Sequence, residues 1–181
     1  MEFETFDVRG PALIRPKMIG DARGFFMEAW KDAWFRDHIA DVGFVQDNQS
    51  LSREVGVIRG LHYQTAPFGQ GKLVRCIRGR IFDVAVDIRP DSATFGQWVS
   101  AILTSEANEQ LWVPDGFAHG FCTLEPDCEV FYKVTNPYSR PNDMGLAFDD
   151  PDIAIEWPID ISRAVLSDKD RAQPPLSSLR S

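Results

Sequence analysis

In "VIRGLHYQ", residues 57–64, a histidine stands three residues after an arginine inside an alternating, strand-like run. His62 is a group that can take up a proton near neutral pH. Lys72 in "QGKLVR" shares a strand face with Val74 and Cys76, and Tyr132 in "VFYKV" shares one with Val130 and Val134. Because side chains alternate across a strand, both polar groups point the way their apolar neighbours do, inward. A histidine, a lysine and a tyrosine facing one interior make a proton-transfer set: a base, a cation for a developing oxyanion, and an acid. A carbon acid beside a ketone needs these three groups. With base and acid on opposite faces of the substrate, the carbon is inverted without a cofactor.

Each group also has a purely structural explanation. A strand tyrosine is commonly a core residue with its hydroxyl satisfied, and a lone strand histidine is commonly structural. The inward lysine is harder to set aside, since lysine is almost never fully buried without a partner. Arg59 and His62 should face opposite ways in a regular strand, unless Gly60 hosts a bulge that brings them to one side.

The elements that must hold these groups are short strands. From residue 44 to residue 135 the chain runs in alternating segments broken by Gly/Pro turns: "KLVRCI", "RIFDVAVDI", "EQLWVP", "HGFCTLE" and "EVFYKVT". "KLVRCI" and "RIFDVAVDI" meet at Arg78-Gly79, which reads as a hairpin. Such a pattern predicts an antiparallel sandwich or barrel. Before it, "WKDAWFRDHIADVG" places Trp30, Trp34, Phe35, Ile39 and Val42 at helical spacing, with Gly43 as the stop. His38 on that helix is read as a packing or surface residue. After it, "DDPDIAIEWPID" offers a short strand, and the stretch from Ser162 a brief helix running into a polar, Pro-rich end at 172–181. No repeat or linker divides the 181 residues, so one mainly β domain is expected.

Charge narrows the partner. A net charge of −8 argues against nucleic acid, yet no carboxylate lies between Glu54 and Asp83, where Arg59, Lys72, Arg75, Arg78 and Arg80 all fall. That segment suits a small anionic ligand such as a phosphate. The three cysteines, Cys76, Cys122 and Cys128, form no CxxC pair, and the N-terminus has no apolar signal region. A cytoplasmic protein without a membrane span is expected.

"GLHYQ" and "PDGFAHGF" resemble the two motifs of the cupin barrel. Metal-binding cupins use an HxH-plus-Glu set, and here the second histidine of that set is missing, which leaves only His62 and His119 as nitrogen ligands. No metal is expected. More specifically, "GFFMEAW", "FVQDNQSLS", "VIRGLHYQ", "QGKLVRCIRGRIFDVAVDIR", "TFGQW", "LWVPDGFAHGF", "VFYKVTNPYS" and "LSDKD", in this order from residue 5 to residue 171, closely resemble the dTDP-4-dehydrorhamnose 3,5-epimerases.

That resemblance implies a homodimeric cupin-type antiparallel β-barrel (jelly roll), with one N-terminal-region helix and a short C-terminal helical segment. It implies a nucleotide-sugar substrate and no cofactor. In its terms His62 is the base, Asp170 the carboxylate that orients it, Lys72 the group facing the C4 oxygen, and Tyr132 the acid on the opposite face. Arg23 and Glu28 match nucleotide-binding positions that reach a neighbouring subunit's site. Asp47, Asn48, Gln49, Arg59 and His119 match further ligand-binding positions, with Arg59 toward the diphosphate. Tyr138 matches an aromatic stacked on the nucleoside, and Lys169 another binding position. The family often carries Glu where this chain has Asp143, a binding position, and Trp where it has Phe148; neither touches the proton-transfer set. Asp170 also closes an S-x-x-D capping box from Ser167, and both roles hold if this segment sits over the barrel mouth. The rival readings are a single-site epimerase, a metal-dependent cupin, and a catalytically silent sugar-nucleotide binder.

Overall fold

Period-two alternation over four to eight residues produces strands almost throughout the computed structural model, which describes residues 1–180. In chain order they are β1 (Glu2–Thr5), β2 (Ala12–Arg15), β3 (Met18–Asp21), β4 (Gly24–Met27), β5 (Gln46–Ser52), β6 (Ile58–Gln64) and β7 (Lys72–Arg78). β8 (Arg80–Asp87), β9 (Trp98–Thr104), β10 (Gln110–Val113), β11 (Phe117–Thr123), β12 (Cys128–Val134) and β13 (Asp143–Gly145) follow. Two α-helices interrupt them, α1 (Asp32–His38) and α2 (Asp168–Arg171). The fold is the expected mainly antiparallel one, with a helix near the N-terminus and a brief one near the C-terminus.

Six strands form one sheet in the order β1-β2-β10-β7-β12-β5, and five form a second, β13-β6-β11-β8-β9. Val74, Cys76, Ile81, Ala85, Leu103, Leu111, Val130 and their neighbours fill the space between the sheets. The outer side of the five-stranded sheet is apolar as well. Val84, Val86, Ala118 and Cys122 pack there under Ile153, Trp157 and Leu176. With both sides covered, every residue of β11 is buried, and so is every residue of β8 from Asp83 onward.

The segment at Arg78-Gly79 is not a hairpin. β7 pairs with β10 and β12, whereas β8 pairs with β9 and β11, so Gly79 carries the chain around a corner from one sheet to the other. Its φ of +80° and a would-be Cβ only 2.7 Å from Cys128 Sγ both require glycine. A hairpin turn and a sheet corner demand the same residue, so local sequence could not separate them.

α1 ends at His38, well before Gly43. The amides of Ile39 and Ala40 both turn back to the Phe35 carbonyl, and the residues after them pack from non-helical backbone. Phe35, Trp30, Phe44 and Trp112 interlock there, capping the outer side of β2, β7 and β10. His38 stacks on Trp34, with ring centroids 4.9 Å apart, as a packing residue.

"DDPDIAIEWPID" forms turns rather than a strand. The Asp150 carboxylate accepts from the amides of Asp152, Ile153 and Leu176, which ties the loop to the C-terminal segment. That end does not trail: Leu176 is buried and the Arg180 guanidinium lies 4.6 Å from the Phe95 ring centroid. Among the described residues no helix is long and apolar enough to cross a membrane.

Candidate active site

At one end of the inter-sheet space the inward positions change from apolar to ionisable. Along β12 the inward series is Val130, Tyr132, Val134; along β7 it is Cys76, Val74, Lys72; along β8 it is Ile81, Asp83, Ala85. His62 and His119 are direct cross-strand partners on β6 and β11. These side chains open on a cavity of about 420 Å³ whose walls include Ser50, Arg59, Phe121, Leu166 and Asp170. A second cavity of about 320 Å³ shares His62, Lys72 and Tyr132 with the first and continues to Tyr138, Asp143 and Lys169. His62, Lys72 and Tyr132 therefore stand at the junction of two lobes.

The bulge expected at Gly60 is present. His119 faces His62 while Phe121 faces Arg59, so three steps along β6 oppose two along β11. Arg59 and His62 consequently reach the same cavity. A Cβ on Gly60 would lie 2.6 Å from the His119 carbonyl oxygen and from Gly120 Cα, so the bulge depends on glycine. Arg59 is steadied by its Nε, which donates to Ser52 Oγ at 3.0 Å, and by a second bond to the Leu51 carbonyl.

His62 Nε2 meets Asp170 Oδ1 at 2.6 Å. A carboxylate only accepts, so this nitrogen carries a proton, and in the neutral ring Nδ1 is the nitrogen that holds the lone pair. Asp170 is 5% exposed, and burial pushes its carboxyl up. The hydrogen bonds from His62 and Ser167 outweigh that and leave it below its ordinary value, ionised at neutral pH. Of the capping box only the N-cap half forms beside this role: the Asp170 carboxylate meets the Ser167 hydroxyl and not the Ser167 amide. Ser167 Oγ accepts from the Asp170 amide at 3.1 Å and donates to Asp170 Oδ2 at 2.7 Å, so the helix cap orients the carboxylate.

Lys72 is 7% exposed, and its Nζ donates to the His62 carbonyl at 3.0 Å. Burial lowers it from 10.5 to about 8, partly countered by the charges of Asp83 and Asp143. Burial raises the Tyr132 phenol above its usual 10, with Arg59 opposing, so the proton is firmly held. Among the described residues no protein group bonds the Tyr132 hydroxyl, which leaves it free for a ligand.

The remaining expected positions divide. Asn48, Tyr138, Asp143, Lys169, Arg59 and His119 line the cavities. Tyr138 and Lys169 both donate to Asp143 Oδ2. Asp47 and Gln49 point to the other side of β5, where they pair with Lys133 and Glu129. Gln46 and Ser50, two residues away in each direction from Asn48, stand in the cavity walls instead, as strand alternation requires. Arg23 and Glu28 line neither cavity; they pair with Asp21 and Lys31 at and beyond the separate β3–β4 hairpin. Asp83, which no sequence motif singled out, lies under the cavity with Oδ1 2.8 Å from His119 Nε2. Its signal was parity with Ile81 and Ala85, an acid on an apolar face. Among the described residues no three His, Cys, Asp or Glu side chains are grouped to hold a metal ion.

A model of the dTDP-4-dehydrorhamnose 3,5-epimerases matches residues 5–178. The chain belongs to the dTDP-4-dehydrorhamnose 3,5-epimerase family. The epimerase of Sinorhizobium fredii is 55% identical over 179 residues, covering 99% of this chain and 91% of that one. Among solved structures, the Bacillus anthracis epimerase with TDP and PPi bound superposes with a TM-score of 0.91 at 44% identity, covering 96% of this chain and 98% of that one. The Legionella pneumophila epimerase in complex with dTDP-4-keto-L-rhamnose gives 0.93 at 42% identity, covering 97% and 93%. Membership of this epimerase family makes the chain an isomerase.

Proposed function

We propose that the chain inverts C3 and C5 of dTDP-4-keto-6-deoxy-D-glucose to give dTDP-4-keto-L-rhamnose, within dTDP-L-rhamnose formation. The observation that carries this reading is the meeting of His62, Lys72 and Tyr132 at one cavity junction, with His62 Nε2 held by Asp170. The Legionella relative, 42% identical, holds dTDP-4-keto-L-rhamnose.

In this reading the bare Nδ1 of His62 removes the proton α to the C4 ketone, and the electron pair moves onto the C4 oxygen. The Lys72 ammonium stabilises that enolate in a water-poor site. Tyr132 then delivers its proton to the same carbon from the opposite face, and the configuration inverts. Proton exchange of His62 and Tyr132 with solvent readies the site for the second carbon. Asp170 holds the imidazole in one tautomer and offsets the nearby Arg59 charge. Arg59 and Lys169 meet the diphosphate, while Gln46, Asn48, Tyr138 and Asp143 line the path of the nucleoside.

A homodimer completes the proposal. The β3–β4 hairpin pairs with neither main sheet and exposes Ile19, Phe25 and Phe26, which are 61%, 57% and 68% exposed. An apolar hairpin of this kind seeks cover, and a neighbouring copy would bring Arg23 and Glu28 with it. One domain carries the activity, and its three buried free thiols suit the reducing cytoplasm.

The test is incubation of the protein with the 4-keto-6-deoxy nucleotide sugar in D₂O, followed by proton NMR. Loss of both the C3 and C5 proton signals, with an L-sugar product, is expected. Exchange at a single carbon would make it a single-site epimerase, and exchange at neither would remove the reading.

A further inference from the structure

Asp83 is completely buried, and only one of its oxygens is occupied. Oδ1 accepts from His119 Nε2 at 2.8 Å, while Oδ2 has no hydrogen-bond partner among the described residues. A buried carboxylate with an unpaired oxygen is destabilising unless a nearby charge compensates it. Lys72, itself buried and bonded only to a neutral carbonyl, is a neighbouring cation that feels this charge without a direct ion pair to it. Asp83 is also the largest charge acting on Lys72. His119 repeats the arrangement of its cross-strand partner His62: Nε2 is tied to a carboxylate, and Nδ1 is unpartnered in the cavity wall.

We propose that Asp83 is a positioning residue of the epimerase site. Its Oδ1 fixes His119 with Nε2 protonated and Nδ1 turned to the cavity as a hydrogen-bond acceptor, and its buried negative charge supports the Lys72 cation. The proposal rests on the epimerase reading for its catalytic meaning, but not for its geometry. Two consequences follow. His119 accepts from a substrate hydroxyl instead of donating to the ketone, which leaves the ketone oxygen to Lys72. Lys72, in turn, retains the charge that an enolate needs despite its burial. The groups facing Lys72 are Arg59 and His62 from β6, Asp83 from β8, His119 from β11, Tyr132 from β12, Asp143 from β13, and Lys169 and Asp170 from α2. Asp83 is the completely buried anion among them with an unpaired oxygen; Asp170, 5% exposed, has its two oxygens bonded to His62 and Ser167. Burial depresses the His119 imidazole and Asp83 opposes this, consistent with a neutral ring at neutral pH.

Asp83→Asn preserves the shape and removes the charge. In the variant, the Lys72 ammonium should titrate lower than it does with Asp83 in place, and the alkaline fall in kcat should move down in pH with it. The loss of kcat should reach about tenfold or more at pH 8.5 and be smaller at pH 6.5, with KM changing less. ¹⁵N NMR of the uncomplexed protein reads the same groups without substrate: wild-type His119 should show a protonated Nε2 and a bare Nδ1. An unshifted Lys72 titration and pH profile in Asp83→Asn would overturn the proposal. If that variant does not fold, the wild-type spectrum decides, because a protonated Nδ1 on His119 would equally overturn it. Failure of the wild-type protein to turn over the nucleotide sugar would instead strike the epimerase reading and leave these spectra interpretable.

Discussion

Lys72 Nζ donates to the backbone carbonyl of His62 at 3.0 Å, so the proposed cation of the site is anchored on the residue proposed as its base. The bond fixes the spacing of the two groups independently of any ligand. It supplies no countercharge, and burial brings Lys72 to about 8. The ammonium is therefore complete below that pH and is lost as pH rises through it. Activity should fall on the alkaline side with a midpoint near pH 8. Lys72→Met should lower kcat by about 10²-fold or more and also lower the thermal midpoint, since the buried Asp83 carboxylate loses the cation that compensates it. Steady-state kinetics across pH 6–10 and a melting curve check both.

Tyr132→Phe removes one oxygen from a wall that remains apolar around Val130 and Val134. In the proposed mechanism proton removal by His62 does not need that oxygen, whereas inversion does. The variant should exchange deuterium into the substrate while forming inverted product about 10²-fold or more slowly. Mass spectrometry of the recovered sugar, paired with chiral product analysis, separates the two. Inversion at the wild-type rate would remove Tyr132 from the mechanism.

Phe26→Asp places a charge on the exposed face of the β3–β4 hairpin, where nothing in one copy covers it. A protein that pairs through this hairpin should become monomeric on sedimentation and lose nucleotide affinity, because Arg23 no longer reaches a site. The melting temperature of the single chain should change little, since the hairpin contributes to neither main sheet. A dimer with unchanged mass would refute the role of the hairpin.

Asp87 lies far from this chemistry in function and reports on stability. Burial raises its carboxyl, but bonds from Arg89, Ser92 and Thr94 outweigh that and bring it from 3.8 to about 2. A folded-state value below the unfolded one means stability present above about pH 4 and lost as pH falls toward 2. Asp87→Asn should flatten the dependence of the thermal midpoint on pH within that window and lower the midpoint at pH 7. An unchanged slope would show that other carboxylates govern acid unfolding.

Much of the site was legible from parity. Lys72 and Tyr132 alternate with Val74, Cys76, Val130 and Val134, so their inward direction followed from spacing alone, and Gly60 was the one residue able to bring Arg59 round to His62. Asp170 sits far along the chain from His62, and only the family resemblance joined them. The geometry then showed why the capping box did not compete: Ser167 bonds one carboxylate oxygen and His62 the other. Asp83 escaped because an acid within "RIFDVAVDI" reads as the solvent side of a strand, whereas here both sides of β8 are covered. Asp47 and Gln49 were displaced by one step of alternation, with Gln46, Asn48 and Ser50 taking the inward side. The Arg78-Gly79 corner was hidden because strand partners are long-range facts, and glycine serves a corner and a turn equally well.

The central claim is that His62, held by Asp170, removes the substrate protons. His62→Ala incubated with the 4-keto-6-deoxy nucleotide sugar in D₂O tests it most directly, with binding verified separately by calorimetry. Intact C3 and C5 proton signals are expected over times in which the wild-type protein exchanges both. Substantial exchange at either carbon in the variant would contradict it and move the base elsewhere in the cavity.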